Sequence, residues 1–220
     1  MSQLELYWVS GSPYSWRVQL ALSIKNVDYV SHQLSLDKME HKQPEYLAIN
    51  PRGKVPSLKD GDLILNESVA ILNYLDAKFG WQFFGQTPPE KGKIWQAIFE
   101  LECYMSVLLM PMVVPIFFDR VEANRNNIIK ASKALKEELS RLNTVLQTTD
   151  WLVGENLTAA DVIAYPFVQL FQRAAAHERA QPLALDLLPF EKKYLQLGVW
   201  MQRLEKVPGA KKTYPPHWQE

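Results

Sequence analysis

Ser12-Pro13-Tyr14-Ser15 is the stretch whose residue types and position suit chemistry. A short apolar run, Leu4-Glu5-Leu6-Tyr7-Trp8-Val9, precedes it, and Trp16-Arg17-Val18-Gln19-Leu20-Ala21-Leu22 follows in a helical pattern. The order reads as strand, tight turn and helix, with a hydroxyl at the helix start. Backbone N–H groups there lack intrahelical partners and the helix dipole is positive, so the spot favours an anion. The hydroxyl has two readings. It caps the helix and nothing more, or it also hydrogen-bonds another molecule's thiolate. Serine forms no disulfide, so dithiol redox chemistry at Ser12 and Ser15 is excluded.

The elements around this turn form a compact α/β unit. Val27 to Leu34 reads as a second strand, and Asp37 to Ala48 is polar with a weak helical pattern containing Pro44. Asn50-Pro51-Arg52-Gly53-Lys54-Val55-Pro56 supplies a turn and a proline at a strand entrance. Leu58 to Leu65 is a hairpin signal around Asp60-Gly61, and Asn66 is placed to cap a helix from Glu67 to Leu75. The expected order is β-α-β-α-β-β-α. Residues 81–92, rich in Gly and Pro, read as a linker between domains at 1–80 and 93–220. Beyond the linker no strand pattern is convincing. Ile94, Ile98, Leu101, Met105, Leu108 and Met112 give one apolar helical face that Pro111 and Pro115 should kink or end. A second helix runs from about Glu122 to Gln147. A third begins at Thr158-Ala159-Ala160-Asp161, a capping-box variant, and should bend at Pro166; a last one covers roughly Pro189 to Lys206.

Composition narrows the function classes. Lys+Arg and Asp+Glu balance at 24 each, which gives no electrostatic case for nucleic acid or membrane partners. The single cysteine, Cys103, excludes an internal disulfide and a cysteine-cluster metal site, and it reads as a buried helix residue. His32, His177 and His217 show no ligand spacing, so no metal is expected. No basic-then-apolar leader is apparent, and no uninterrupted apolar run reaches the length of a membrane span. The default expectation is a cytoplasmic enzyme or binding protein.

Over essentially its whole length the chain resembles the cytosolic glutathione transferase superfamily. Glutaredoxin-like proteins carry Cys-Pro-Tyr-Cys where this chain has Ser12-Pro13-Tyr14-Ser15. Ser12 sits where serine-type classes keep their active-site serine, and the run through Arg17-Val18 looks like the tau and zeta pattern. His41-Lys42-Gln43-Pro44-Glu45 with Asn50-Pro51-x-Gly53-Lys54-Val55-Pro56 is similar to the phi class. Glu67-Ser68 matches the glutamyl-binding pair, and Leu157 to Asp161 matches the helix-start motif of the second domain. The chain mixes zeta-, tau- and phi-like elements, and a bacterial serine-type class fits the mixture as well.

The resemblance implies a thioredoxin-like domain followed by an all-α domain, working as a homodimer on glutathione and small hydrophobic electrophiles. Ser12 would be the thiolate donor, with Ser15 ranked second and Tyr7 read as a packed strand residue. Pro56 would follow a cis bond, so that the Val55 backbone pairs with the cysteinyl part of glutathione. Glu67 and Ser68 would hold the γ-glutamyl end, and His41, Lys42 and Lys54 the glycyl carboxylate and peptide. Tyr104, Met105, Leu108 and Met112 are candidates to line the hydrophobic pocket. Two alternatives stay open: a zeta-like isomerase of the maleylacetoacetate type, and a non-catalytic binding or structural member. The zeta reading is weakened by Pro13 and Tyr14, which replace the second serine and the cysteine of the usual zeta run.

Overall fold

The computed structural model describes residues 3–218. They fall into two compact units, one of residues up to Phe83 together with those from Glu205 onward, the other of residues 84–204. The sequence grouped 93–220 together; in the structure residues 205–218 pack with the first unit.

In the first unit, β1 (Leu4–Trp8), α1 (Pro13–Ile24), β2 (Val30–Gln33), α2 (Pro44–Leu47), β3 (Ser57–Asp60), β4 (Leu63–Asn66) and α3 (Ser68–Phe79) follow in the expected order. The four strands form one mixed sheet, β2-β1-β3-β4. β1 runs parallel to β2, with Glu5 opposite Val30, and antiparallel to β3, with Leu6 opposite Leu58. Alternation sorts β1 cleanly: Leu4 and Leu6 are buried, while Glu5 and Tyr7 point to the other face. α1 is buried nearly all round through Trp16, Val18, Leu20, Ala21 and Leu22, which explains why its apolar pattern has no marked stripe. Buried Asp60 ties β3 to α3 by accepting from Tyr74 Oη (2.5 Å) and from Lys78 Nζ. The cap of α3 differs from expectation. Asn66 ends β4 opposite Ser57 and its Oδ1 accepts from Ser57 Oγ at 2.6 Å, so Glu67 takes the N-cap position instead.

In the second unit, Thr87 caps α4 (Pro88–Glu100) through a capping box with Glu90. The chain then stays helical through Pro111 and Pro115 by changing pitch. A wide turn at Leu101–Met105, a tight one at Ser106–Leu108 and a second wide one at Leu109–Val113 lead into α5 (Val114–Phe117). Wide turns make room for a proline that has no N–H and would clash with the carbonyl four residues back. Taken as one helix, Pro88–Phe117 contains an 18-residue window of mean hydropathy 1.7, long and apolar enough by length and composition to cross a membrane. The sequence reading missed this because it counted only uninterrupted apolar residues. Ile94, Ile98, Leu101, Met105, Met112, Val113 and Ile116 are buried and make this the core helix of its unit, packed by α6 (Val121–Val145) and α7 (Ala159–Ala176). Cys103 lies on the exposed side of the first wide turn, not buried as expected.

α6 buries Ile128, Ala131, Leu135 and Leu139, the stripe its spacing predicts. α7 is buried along most of its length, Pro166 included. At its start, Asp161 accepts from four donors: Leu152 N (2.8 Å), Thr158 N (2.9 Å), Thr158 Oγ1 (2.9 Å) and Trp200 Nε1 (2.9 Å). The expected last helix is split into α8 (Phe190–Lys193) and α9 (Leu195–Glu205). Among the described residues no strand follows β4.

Candidate active site

Ser12 stands at the N-cap of α1 with extended backbone (φ −74°, ψ 119°), and Pro13 fills the first helical position. Its Oγ accepts from Ser15 N at 3.3 Å. A hydroxyl that accepts from backbone keeps its own hydrogen to donate. No acidic residue lies in the first turn of α1, so nothing there neutralises the positive end of the helix. Ser15 is differently placed. It is fully buried, and its Oγ accepts from Val9 N at 3.3 Å. That contact fastens the end of the β1 segment to the helix and leaves Ser15 no exposed surface.

Tyr7 projects from the opposite side of β1 to Leu6. Its hydroxyl donates to Glu5 Oε2 at 3.2 Å and its ring stacks on His32, with centroids 4.3 Å apart and planes at 11°. Burial, and then the Glu5 carboxylate, push the phenol pKa above its ordinary value. A phenol held that way is a poor source of phenolate.

The Val55–Pro56 bond is cis, as expected. No hydrogen bond among the described residues engages the N–H or C=O of Val55. The loop is held instead at its neighbour: Lys54 O accepts from Tyr46 Oη (2.5 Å) and Asn50 Nδ2 (2.7 Å). The tight turn before it requires Gly53, whose φ is +56° and where a Cβ would stand 2.7 Å from His41 O. Lys42 closes the same loop, its Nζ donating to Gly53 O (3.0 Å) and Arg52 O (3.3 Å). Both lysines are exposed, but Lys42 is thereby tied to backbone carbonyls, whereas the Lys54 ammonium has no partner among the described residues. The His41 Nδ1 is buried with no hydrogen-bond partner among the described residues. Burial, then Lys42 and Lys54, hold the His41 pKa below the usual imidazole value. His41, Lys42, Lys54, Val55 and Pro56 therefore meet in one loop cluster rich in positive charge and open backbone groups.

Glu67 and Ser68 join this cluster through the sheet. Ser57, directly after Pro56, pairs with Asn66, directly before Glu67. Glu67 carries φ +67°, an uncommon angle for a residue with a Cβ, and its carboxylate has no partner among the described residues. Ser68 is buried, and its Oγ accepts from Arg17 Nε at 2.7 Å. Arg17 is the residue that sequence reasoning passed over. It is 2% exposed, its guanidinium also lies 4.9 Å from the centre of the Tyr14 ring, and it links the first turns of α1 and α3. The signal was there, a lone charge inside an otherwise apolar helix.

The four pocket candidates of the second unit do not share a surface. Met105 and Met112 are buried in the core, Leu108 is half-buried and Tyr104 is exposed. Met105 and Met112 keep the buried face that the spacing gave them, whereas Tyr104, one residue before Met105, lies off that stripe. Among the described residues no three His, Cys, Asp or Glu side chains group as metal ligands.

Comparison with known proteins bears on what this arrangement is. Residues 6–88 match the family model described as glutathione S-transferase, N-terminal domain, and residues 102–208 match glutathione S-transferase, C-terminal domain. The chain is 34% identical over 230 residues to glutathione S-transferase A of Pleuronectes platessa, covering 99% of this chain and 93% of that one. It is 31% identical to glutathione S-transferase 2 of Schizosaccharomyces pombe, over 97% and 96% of the two chains. The crystal structure of a glutathione S-transferase from the Antarctic clam Laternula elliptica superposes with a TM-score of 0.81 at 30% identity, over 100% and 95% of the chains. With a thioredoxin-like unit followed by a helical one, and with matches to both domain models, the chain belongs to the glutathione S-transferase family.

Proposed function

We propose that this enzyme, which like its family uses glutathione as co-substrate, activates the thiol through the Ser12 hydroxyl. The observation that carries the reading is the pairing of Ser12 with an α1 start free of acidic residues, while Ser15 is buried and engaged. A free thiol with a pKa of about 8.5 is only a few per cent ionised at pH 7. Lowering it by about two units requires roughly 2.7 kcal/mol of preferential stabilisation of the anion. One charge-assisted hydrogen bond contributes about 1.5–3 kcal/mol and a helix N-terminus about 0.3–1 kcal/mol, so the two together suffice. Ser12 stays a donor throughout and no general base is needed. The thiolate sulfur then forms the new bond to an electrophilic carbon, and the displaced group leaves with the electron pair.

The rest of glutathione would be held by groups that keep a donor or an acceptor to spare. Val55 offers one backbone donor and one acceptor to the cysteinyl part, at the cis bond to Pro56. The Glu67 carboxylate suits the γ-glutamyl ammonium, and Ser68, which keeps its own hydroxyl hydrogen, suits the γ-glutamyl carboxylate. Lys54 and His41 suit the glycyl carboxylate, with Lys42 shaping the loop rather than reaching the ligand. The same reading makes the chain a cytoplasmic homodimer of serine type, acting on small hydrophobic electrophiles. The isomerase alternative gains nothing from the relatives, which are named transferases.

The test is a pH titration of the ultraviolet thiolate band of bound glutathione, in wild type and Ser12→Ala. A thiolate near neutral pH that disappears in the variant supports the reading. Binding without any thiolate shift points to a carrier, and full thiolate formation in Ser12→Ala removes Ser12 from the mechanism.

A further inference from the structure

The C-terminal tail runs along α1, from the end of that helix back to the turn before it. Ser23 Oγ, near the last turn of α1, donates to Gly209 O at 2.8 Å. Trp16 Nε1, in the first turn, donates to Thr213 Oγ1 at 2.9 Å. The Trp16 ring is then met edge-on by Tyr214 (5.4 Å, 90°) and by Trp218 (5.3 Å, 89°), while Pro215 is buried. These contacts bring the tight turn Pro216–Trp218 against Ser10 and Gly11. His217 Nδ1 shares a hydrogen bond with Ser10 Oγ at 3.2 Å. At Gly11 (φ +81°) a Cβ would stand 3.0 Å from His217 Nε2 and 3.3 Å from Trp218 Nε1, so both the backbone angle and the contact call for glycine. The tail thus holds the two residues immediately before Ser12. His217 remains exposed and borders an open cleft shared with Val9, Ser10, Gln33 and Lys38.

We propose that His217 is a positioning residue for Ser12: through Ser10 Oγ and the face of Gly11 it fixes the turn that aims the Ser12 hydroxyl at sulfur. The proposal rests on Ser12 being the thiolate donor. The physical reason is geometric. Ser12 is the residue at which the chain changes from turn to helix, and its direction is set on one side by α1 and on the other by residues 10 and 11. α1 is buried and rigid. The turn has no strand pairing of its own, and it is held by Ser12 N donating to Val9 O (3.2 Å), by Val9 N donating to Ser15 Oγ, and by the tail. A hydrogen bond that stabilises an anion depends steeply on direction, so small displacements of this turn translate into thiol pKa and rate.

The experiment compares His217→Ala, His217→Asn, Ser10→Ala and the double variant with wild type. The readouts are the pKa of bound glutathione's thiol, kcat against KM for glutathione, and the thermal midpoint. The expected result for His217→Ala is a thiol pKa raised by about half a unit to one unit and a kcat lowered about three- to tenfold, with KM and midpoint nearly unchanged. Asparagine places an amide oxygen where Nδ1 stands and should restore most of the loss. Ser10→Ala should reproduce the His217→Ala effect, and the double variant should add nothing to either. An unmoved thiol pKa and kcat in His217→Ala, additive losses in the double variant, or a fall confined to the thermal midpoint would overturn the proposal while leaving the Ser12 reading intact. A wild type that forms no thiolate overturns both.

Discussion

The start of α7 carries a buried acid, Asp161, in its first turn; the start of α1 carries a hydroxyl and no acid. Asp161 takes four hydrogen bonds, and it, Ala159 and Ala160 have no exposed surface, so that helix start is closed to a ligand. Ser12 takes one long hydrogen bond, is part-exposed, and leaves the positive end of α1 unneutralised. On the proposed reading the same backbone feature serves folding in one unit and anion binding in the other. What decides between them is whether the chain supplies its own negative charge.

The largest effect should come from breaking the saturated start. Asp161→Ala leaves four donors without their acceptor in a site closed to water, and the expected loss of stability is about 3–5 kcal/mol, read as a shift of the urea midpoint. A loss below about 1 kcal/mol would mean that the carboxylate is dispensable and the contrast with Ser12 is empty. At the other start the expectation reverses. Ser12→Ala should lose only a cap, about 1 kcal/mol, but lower the conjugation rate by about 10- to 100-fold. Ser12→Asp sharpens the contrast, since it converts the open start into the saturated kind. That variant should fold at least as well as Ser12→Ala, yet raise rather than lower the thiol pKa, because a carboxylate there repels the sulfur anion. Retained conjugation in Ser12→Asp would show that the helix start is not the anion site.

The proposed anion site of the first unit predicts a proton signature. His41 has a pKa held below the ordinary imidazole value by burial and by Lys42 and Lys54. For a group depressed on folding, the stability it contributes is present above the unfolded value and is lost as pH falls through the folded one. A carboxylate bound beside it acts in the opposite direction and raises its pKa. Glutathione binding just below the ordinary imidazole range, about pH 6, should therefore take up a fraction of a proton. Calorimetry in buffers of different ionisation enthalpy measures that fraction. His41→Gln should abolish it and weaken binding several-fold. Uptake that persists in His41→Gln assigns the proton elsewhere.

The sequence carried the first unit well because its signals are local. Alternation in β1, the Asp60-Gly61 hairpin and a proline before β3 each specify their element within a few residues. The Ser12 helix start was legible for the same reason. Arg17 on Ser68 and His217 on Ser10 were not, since they join residues 51 and 207 positions apart and no periodicity encodes such pairs. The four substrate-wall candidates do not share one face for a different reason. Met105 and Met112 lie on the apolar stripe from Ile94 to Met112 and are buried with it, whereas Tyr104 sits one residue, about 100° of helix, away and is exposed. Asn66 was misread as a cap because its side chain answers a strand partner, Ser57, rather than its own helix.

The smallest expected effect tests whether pattern or burial sets the strength of a saturated start. Thr87 and Glu90 at α4 repeat the spacing of Thr158 and Asp161, a hydroxyl with an acid three residues on. Glu90 Oε2 accepts from Gln86 N (2.9 Å) and Thr87 N (3.1 Å), and Thr87 Oγ1 accepts from Glu90 N (3.4 Å). All three residues are exposed, so water competes for every one of these groups. Thr87→Ala should cost about 1 kcal/mol, well short of the Asp161→Ala loss. The Gln86 and Thr87 N–H groups hold the Glu90 carboxyl below its ordinary value. Its contribution is therefore present above the unfolded carboxylate pKa and lost as pH falls through the folded one. Urea midpoints of wild type and Glu90→Gln should differ at pH 7 and converge in acid. If Thr87→Ala instead matched Asp161→Ala, the capping pattern alone would set the energy. Burial would then no longer explain why one helix start is a structural lock and the other is open to a ligand.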